Sequence, residues 1–549
     1  MSMDKSFKDK KLMFASWGCK IKDHYHYTEW IPFFKDFFGK LVIFSPRDFY
    51  YKYGKERMNK EFLSIISGQK PDYLLLSLSY DEFYIETLKK IKQLSPKTVI
   101  INFFGDDDWR YEDWSRFYAP FFDYNLVTEK DFSEYKKDGV MNTFYIHGSS
   151  PKEFAPQNLD KKYDVAFIGA PVSDRSDFIR FLRRKGINVT VGGKGWEKYP
   201  DLKPISLGYL NQEEYKKILN QAKINLSFSK GALPGSKGGQ SKGRVFEIMA
   251  SKSFGLIEAT GRNIGFFIKN KKLTFRTKEE LLSKIRYFLS KEKDRRHYSE
   301  LGYKDFIKNH TWESQFEKFF FQIKKSKQAP AKPDILSTAG EILVLSDKEL
   351  FSENLKDIVR GYEFISFNFG ECYSDKDRNK IQIYSLLKSK KSISCCDYVL
   401  NKKGLGEYMQ FTSKKAYHSI SKEDFSRLAD LRQLLVRKEY FLANINSFRA
   451  SFKKGKIGFM NDNNSVFVSI PLINITDDKK ASFDSMEKAF IMKFRDRLFS
   501  LLSTKDILWN SYSYNLLISS FTDAFPLRYI YESIIKKEII PSIKRKISI

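Results

Sequence analysis

Short apolar runs alternate with helix-like patterns between residues 11 and 324, and this alternation constrains the fold more than any other feature. KLMFAS (Lys11–Ser16) and KLVIFS (Lys40–Ser45) read as strands. DYLLLSLS (Asp72–Ser79) follows, then the helical pattern DEFYIETLKKIKQLS and a further strand, KTVIINFFG (Lys97–Gly105). DYNLVTE and NTFYIHG close this first set near residue 150. Strands separated by helices, and apolar along their whole length, predict a parallel sheet covered on both faces.

A second unit begins at KYDVAFIGAP (Lys162–Pro171). Its helix DFIRFLRRKG leads to the strand INVTVGG, the helix NQEEYKKILNQA to the strand KINLSFS, and further helices run over 278–290 and 294–324. The expected class is α/β, with two Rossmann-like domains, 1–150 and 151–325, facing one another. Ligands of such sheets sit at the carboxyl ends of the strands, so the cleft between the domains is the expected site. The stretch from Lys324 to Asp334, KKSKQAPAKPD, carries charge, alanine and two prolines. Residues 326–334 therefore read as a linker. Residues 335–549 read as a separate accessory domain, α/β at first and helical over the last ~70 residues by apolar spacing.

Composition narrows the partners. The 549 residues carry a net charge of +29, which predicts an anionic partner: a nucleotide, nucleic acid, an acidic glycan or an acidic membrane surface. A lysine-rich solvated surface is the alternative reading of the same number. With 16% aromatics and 42% hydrophobic residues the composition is that of an ordered chain. The four cysteines, Cys19, Cys372, Cys395 and Cys396, make no Cys-x-x-Cys pair. No zinc site or disulfide framework is expected, and a reducing cytoplasm fits. The polar start MSMDKSFKDKK has no signal-peptide core, and no run of 18 apolar residues predicts a membrane span.

The stretch SKGRVFEIMASKSFGLIE (Ser241–Glu258) follows a loop rich in Gly and Lys. Lys242 and Arg244 stand at a helix start, where a cation opposes the helix dipole unless an anion lies between. Glycine-rich backbone before a helix N-terminus suits a phosphate. Glu247, three residues beyond Arg244, can accept hydrogen bonds from ribose hydroxyls or pair with Arg244 on the helix surface. The acidic triplet Asp106–Asp107–Asp108 ends a strand, the right end for a site. It suits a proton acceptor, and equally a turn or helix cap.

KGRVFEIMASKSFGLIEA, followed by RTKEELLSKIRYFLSKEKDRRHYSELGYKDFIKNHTWESQFEKFF, resembles the closing half of GT-B glycosyltransferases. It is most similar to the spore-maturation-protein-like branch, whose pattern is Lys-x-Arg-x-Phe-Glu-x-x-Ala. The resemblance covers residues 10–325. It implies a GT-B fold, and a nucleotide-sugar co-substrate, UDP favoured, with no cofactor and no metal in this half. It gives Glu247 the donor ribose, and Lys242 or Arg244 the diphosphate. YDVAFIGAPVSDRSDFIRFL resembles the first strand, loop and helix of the donor domain, which adds Gly169 and Arg175; pairing with Asp174 or Asp177 is the other reading of Arg175. FYIHGSSPKEFAP resembles the crossing between the domains and places His147 at the cleft, with the catalytic set. Asp106 or Asp107 falls where relatives face the acceptor. Many relatives carry a second glutamate eight residues before the first; here that position is Gly239. The weak motif SWGCK (Ser16–Lys20) lies after the first strand.

The C-terminal region, GYEFISFNFGECYSDKDRNKIQIYSLLKSKKSISCCDYVL, faintly resembles the middle of GT-A glycosyltransferases. The metal position there would read Asn368-Phe369-Gly370-Glu371, with Glu371 as its one carboxylate, so the resemblance implies a degenerate module. The ending IIKKEIIPSIKRKISI interleaves apolar residues with Lys536, Lys537, Lys544, Arg545 and Lys546, a pattern suited to an anionic membrane surface or to a solvated terminus. The expected function is transfer of a sugar to a glycan, lipid-linked or protein acceptor, in the cytoplasm or at the inner face of its membrane. Two rivals are a phage-type transferase that modifies DNA and a non-catalytic glycan- or nucleic-acid-binding protein on a decayed transferase fold.

Overall fold

Six of the predicted apolar runs form strands of one sheet in the computed structural model: β1 (Lys11–Ser16), β2 (Lys40–Phe44), β3 (Tyr73–Ser77), β4 (Val99–Phe104), β5 (Tyr124–Val127) and β6 (Thr143–Tyr145). The structure describes residues 7–476, apart from 23, 79–81, 106, 108–110, 231–240, 260–269, 327–329, 331, 335–336, 338–339, 368–371, 375–377, 402–408, 412–433 and 455–464. The sheet runs β2-β1-β3-β4-β5-β6 and is parallel throughout. Every residue of β3 and β5 is buried, as a sheet covered on both faces requires. The helices α1 (Ile31–Phe37), α2 (Pro46–Gln69), α3 (Ile85–Leu94) and α4 (Ser133–Lys137) alternate with the strands.

The second sheet is also parallel, in the order β11-β10-β9-β7-β8. It consists of β7 (Tyr163–Ile168), β8 (Val189–Gly192), β9 (Ala222–Ser227), β10 (Gly255–Glu258) and the short β11 (Thr274–Phe275). Its helices are α5 (Arg175–Arg184), α6 (Gln212–Gln221), α7 (Gly243–Ala250), α8 (Lys278–Ser290) and α9 (Glu292–Asn309). Asn211 and Glu214 close a reciprocal cap on α6, which fixes where the chain enters that helix.

The helix α10 (Trp312–Lys325) departs from the sequence expectation. Spacing counts it with the second domain, yet its apolar face completes the core of the first. Trp312, Phe316, Phe319, Phe320 and Ile323 cluster with Phe14, Trp30, Phe34, Phe37 and Phe38. A single amphipathic stripe shows that a helix has a buried face and does not show which sheet it covers. The crossing that makes this possible is tight. Ser149 donates its N–H to the His310 carbonyl, and Trp312 donates to the Ser149 carbonyl. A Cβ on Gly148 would lie 2.4 Å from the His310 oxygen, so only glycine lets the two strands of chain pass here.

By contacts the chain divides into two units, Met1–Tyr53 with Arg57–Pro333, and Gly54–Glu56 with Asp334–Ile549. Both parallel sheets lie in the first. Lys332 belongs there too, since its ammonium donates to the Phe122 carbonyl. The second unit holds a mixed sheet with the path β12-β13-β17-β15-β18-β14, and β16 beside β15. These strands are β12 (Ile342–Leu345), β13 (Phe364–Phe367), β14 (Cys372–Ser374), β15 (Ile393–Asn401), β16 (Met409–Phe411), β17 (Leu434–Arg437) and β18 (Ser465–Thr476). The expected metal position, 368–371 with Glu371, and the basic tail with Lys536 to Lys546 lie outside the described residues. No helix among the described residues is long and apolar enough to cross a membrane.

Candidate functional site

Three of the residues singled out by sequence, Gly169, Arg175 and Arg244, meet at the carboxyl end of β7. Phe167 is fully buried one residue before the end of that strand, and its ring carries two guanidinium groups, Arg244 at 5.1 Å and Arg175 at 5.6 Å from the centroid. Gly169 lies against Arg244: a Cβ there would stand 2.7 Å from its Nη2. Arg175, at the start of α5, is 6% exposed. It donates from Nη1 to the Ala170 carbonyl and from Nη2 to the Lys230 carbonyl, at 3.0 and 2.9 Å. The Nε atoms of both arginines are buried and have no hydrogen-bond partner among the described residues.

Among the described residues no ion pair joins Arg175 to Asp174 or Asp177, or Arg244 to Glu247. Asp174 accepts from Lys230 at 2.6 Å, and Asp177 from Arg180 at 3.2 Å, so neither carboxylate takes Arg175 by hydrogen bond. Glu247 accepts from the Tyr215 hydroxyl at 2.5 Å. Two like charges beside one ring and away from water are unfavourable. Burial, and then the charge of Arg244, push Arg175 down to about 10.

Glu247 projects from α7, three residues after Arg244. Burial raises its carboxyl above the usual range, opposed by the Tyr215 hydrogen bond and the Arg244 charge. Lys242 is the residue before α7 and has extended backbone. Ser241 donates its N–H at 2.9 Å to the buried Glu129, which follows β5 of the first sheet. The helix entry that carries the motif is thus held from the other domain. Below it, the Phe246 ring packs between His147 at 4.7 Å and His310 at 5.2 Å, while His147 Nδ1 lies 3.2 Å from the Thr128 carbonyl. His147 thus packs against the motif helix through Phe246.

Asp107 differs from its expected role. It is 4% exposed; Ser115 donates to one carboxylate oxygen and Tyr135 to the other. Both oxygens brace the local turns, which suits a structural carboxylate rather than one waiting for an acceptor's proton. Asp106, Asp108 and Gly239 lie outside the described residues.

Sequence reasoning missed Phe167, Tyr215, Glu258 and Glu29. Glu258, at the end of β10 and 1% exposed, accepts from the Ser229 and Lys230 backbone N–H groups at 2.8 and 3.3 Å and so anchors the loop after β9. The signal was a glutamate at the end of the apolar run GLIE. Glu29 lies on a π-helical turn, His26–Trp30, and only the tertiary structure marks it out.

Residues 175–320 match a family model described as glycosyl transferase-like. No curated protein sequence matches the chain. Similar solved structures include T4 phage β-glucosyltransferase, 16% identical, covering 56% of this chain and 98% of its own, with a TM-score of 0.35. An O-GlcNAc transferase from Thermobaculum terrenum is 10% identical over 59% of this chain and 69% of its own, TM-score 0.39. An α,α-trehalose-phosphate synthase (UDP-forming) from Burkholderia vietnamiensis is 9% identical over 58% of this chain and 100% of its own, TM-score 0.39. The chain thus carries a glycosyl transferase-like segment within an α/β fold of two parallel sheets, the class of fold that GT-B glycosyltransferases have.

Proposed function

We propose that the chain is a glycosyltransferase that binds a nucleoside diphosphate sugar, UDP-activated, at the carboxyl edge of the second sheet. The observation that carries this is the Arg175–Arg244 pair on Phe167, a buried and a half-buried arginine whose buried Nε donors lack partners among the described residues. Paired, desolvated cations with open donors call for a di-anion, and guanidinium forks suit phosphate oxygens. Lys242 lies close in sequence, and the N-terminus of α7 adds its dipole. Glu247 then takes the ribose hydroxyls, steadied by Tyr215. The motif Lys242-x-Arg244-x-Phe246-Glu247 resembles that of the spore-maturation-protein-like branch. The leaving diphosphate is neutralised by arginine, so donor binding should survive chelation.

A thermal-shift screen of UDP-, GDP-, CMP- and dTDP-sugars, each with and without EDTA, tests this reading. The expected result is stabilisation by UDP-sugars that EDTA leaves unchanged. Stabilisation by none of the four overturns it. A second check follows from Gly169. In Gly169→Ala the new methyl meets Arg244 Nη2 at 2.7 Å and the Phe167 ring at 3.0 Å, side chains rather than backbone. UDP should bind about tenfold more weakly, roughly one lost charge-assisted hydrogen bond. The melting temperature should move by less than about 4 °C. Equal UDP affinity in the variant would place the diphosphate elsewhere.

The net charge of +29 supports a second acceptor reading, DNA in place of a glycan, lipid-linked glycan or protein. DNA retention that falls steeply with salt favours it, and sugar transfer to DNA decides it. The basic tail is assigned to an anionic acceptor or membrane surface, and cytoplasmic placement belongs to the same reading.

A further inference from the structure

The π-helical turn after β1 is pinned at the carboxyl edge of the first sheet. His26 lies 2.5 Å from the Ser16 hydroxyl at the end of β1 and 3.3 Å from the Ser77 hydroxyl at the end of β3. Burial, and then His24, hold His26 well below its ordinary pKa, so it is neutral and serves as a fixed bracket. Trp30, four residues on, packs against Trp312 at 5.1 Å and Phe316 at 4.9 Å. Glu29 stands between these two anchors. Turns of this kind recur at functional sites.

Glu29 is 8% exposed, and its Oε2 is buried with no hydrogen-bond partner among the described residues. A buried carboxyl oxygen without a donor is costly, and such an oxygen calls for an explanation. Its surroundings join both domains: Glu247 on the motif helix, Glu153 at the crossing, and Glu313 and the Trp312 indole on α10. Glu153 is already paired with Lys216 at 3.0 Å. Glu313 is itself pushed up by burial and lowered in part by the charge of Lys152. No cation among the described residues approaches Glu29 within ion-pair distance.

Resting on the glycosyltransferase reading, we infer that Glu29 is the group that takes the acceptor's proton. The acceptor hydroxyl oxygen forms the new bond to the anomeric carbon. The bond from that carbon to the diphosphate oxygen breaks, with its electron pair leaving on the diphosphate held by Arg175 and Arg244. The hydroxyl proton passes to the Glu29 carboxylate. This places the base on the turn after β1, in a role that Asp107 does not fill because its oxygens are spent on Ser115 and Tyr135. Burial first, then Glu247 and Glu153, push Glu29 up to about 8, so the base form grows in as pH rises through that value.

The test uses the full chain with water as acceptor, reading UDP release from UDP-glucose and from UDP-N-acetylglucosamine between pH 6 and 9. The parent rate should rise through about pH 8. In Glu29→Gln it should fall at least about 100-fold and lose that limb, as expected for removal of a general base, while UDP binds as in the parent. Glu29→Asp should restore part of the rate with its pH limb. The fold of the Gln variant has its own readout. A carboxyl raised in the folded state loses stability as pH climbs from its ordinary range through about 8. The variant should therefore match the parent in acid and outlast it at pH 9. A rate within threefold of the parent, loss of UDP binding together with the rate, or a parent that binds UDP yet releases none at pH 9 each overturns the assignment. A parent that binds no UDP-sugar instead overturns the glycosyltransferase reading beneath it.

Discussion

Arg244→Ala should weaken UDP binding by about 10- to 100-fold while leaving the unliganded protein as stable as the parent. A hydrogen bond to a charged group is worth roughly 1.5–3 kcal/mol, and each 1.4 kcal/mol is tenfold in affinity. The stability half of the result is the sharper part. Arg244 stacks on Phe167, which favours the folded chain, but it also stands beside Arg175 and helps hold that group down at about 10. Removing Arg244 loses a cation–ring contact and relieves a repulsion, and the two effects oppose each other. A depressed pKa on a base means that the fold holds the charged form at a cost at every pH below about 10. Binding a di-anion removes that cost, which is why the affinity should fall far more than the melting temperature. Calorimetric titration with UDP and a thermal melt without it check both halves. Unchanged affinity would remove the diphosphate from this pair. A large loss of stability without ligand would instead make Arg244 part of the core.

The pieces of the proposed donor site were legible in the sequence as groups because they are local. Lys242, Arg244 and Glu247 occupy one turn of helix, and Gly169 with Arg175 follow one strand, so spacing alone groups them. What joined the two groups was not legible. Phe167 reads in VAFIG as an ordinary strand residue, and nothing local says that its ring will carry two guanidiniums. Asp107 shows the converse. A carboxylate after a strand is a fair candidate until Ser115 and Tyr135, eight and twenty-eight residues on, take both its oxygens. Glu29 carried no signal at all in HYHYTEW, since its elevated pKa comes from burial and from carboxylates at positions 153 and 247. The fold followed the same rule. Strand and helix alternation specified two parallel sheets, while the destination of α10 depended on contacts more than 270 residues apart in the chain, such as Phe34 with Phe316.

That last contact sets the largest expected effect, a contrast between two cuts. The fragment 1–333 should fold and bind UDP, and 1–311 should not fold. They differ by α10 and the segment after it. Trp312, Phe316, Phe319 and Phe320 lie within the first core, with Phe316 4.9 Å from both Trp30 and Phe34 and Phe320 5.1 Å from Phe38. Truncating one buried Phe or Trp to Ala costs about 3–5 kcal/mol. Removing four at once exceeds the roughly 5–15 kcal/mol that holds a typical domain together. The cut at 333 keeps Lys332 on the Phe122 carbonyl and 3.7 Å from Asp123, ties that a cut in the 327 region would lose. It also leaves both parallel sheets whole, because the division between the two units falls there. Circular dichroism, a UDP thermal shift and limited proteolysis of the two fragments decide the matter. If 1–311 melts cooperatively, α10 is an appendage and the first sheet has a sufficient core without it. If 1–333 fails to fold, the C-terminal unit is part of the transferase itself. If 1–333 binds UDP and hydrolyses UDP-sugar but no longer transfers to the natural acceptor, residues 334–549 bring the acceptor, and the charge they carry is there to hold it.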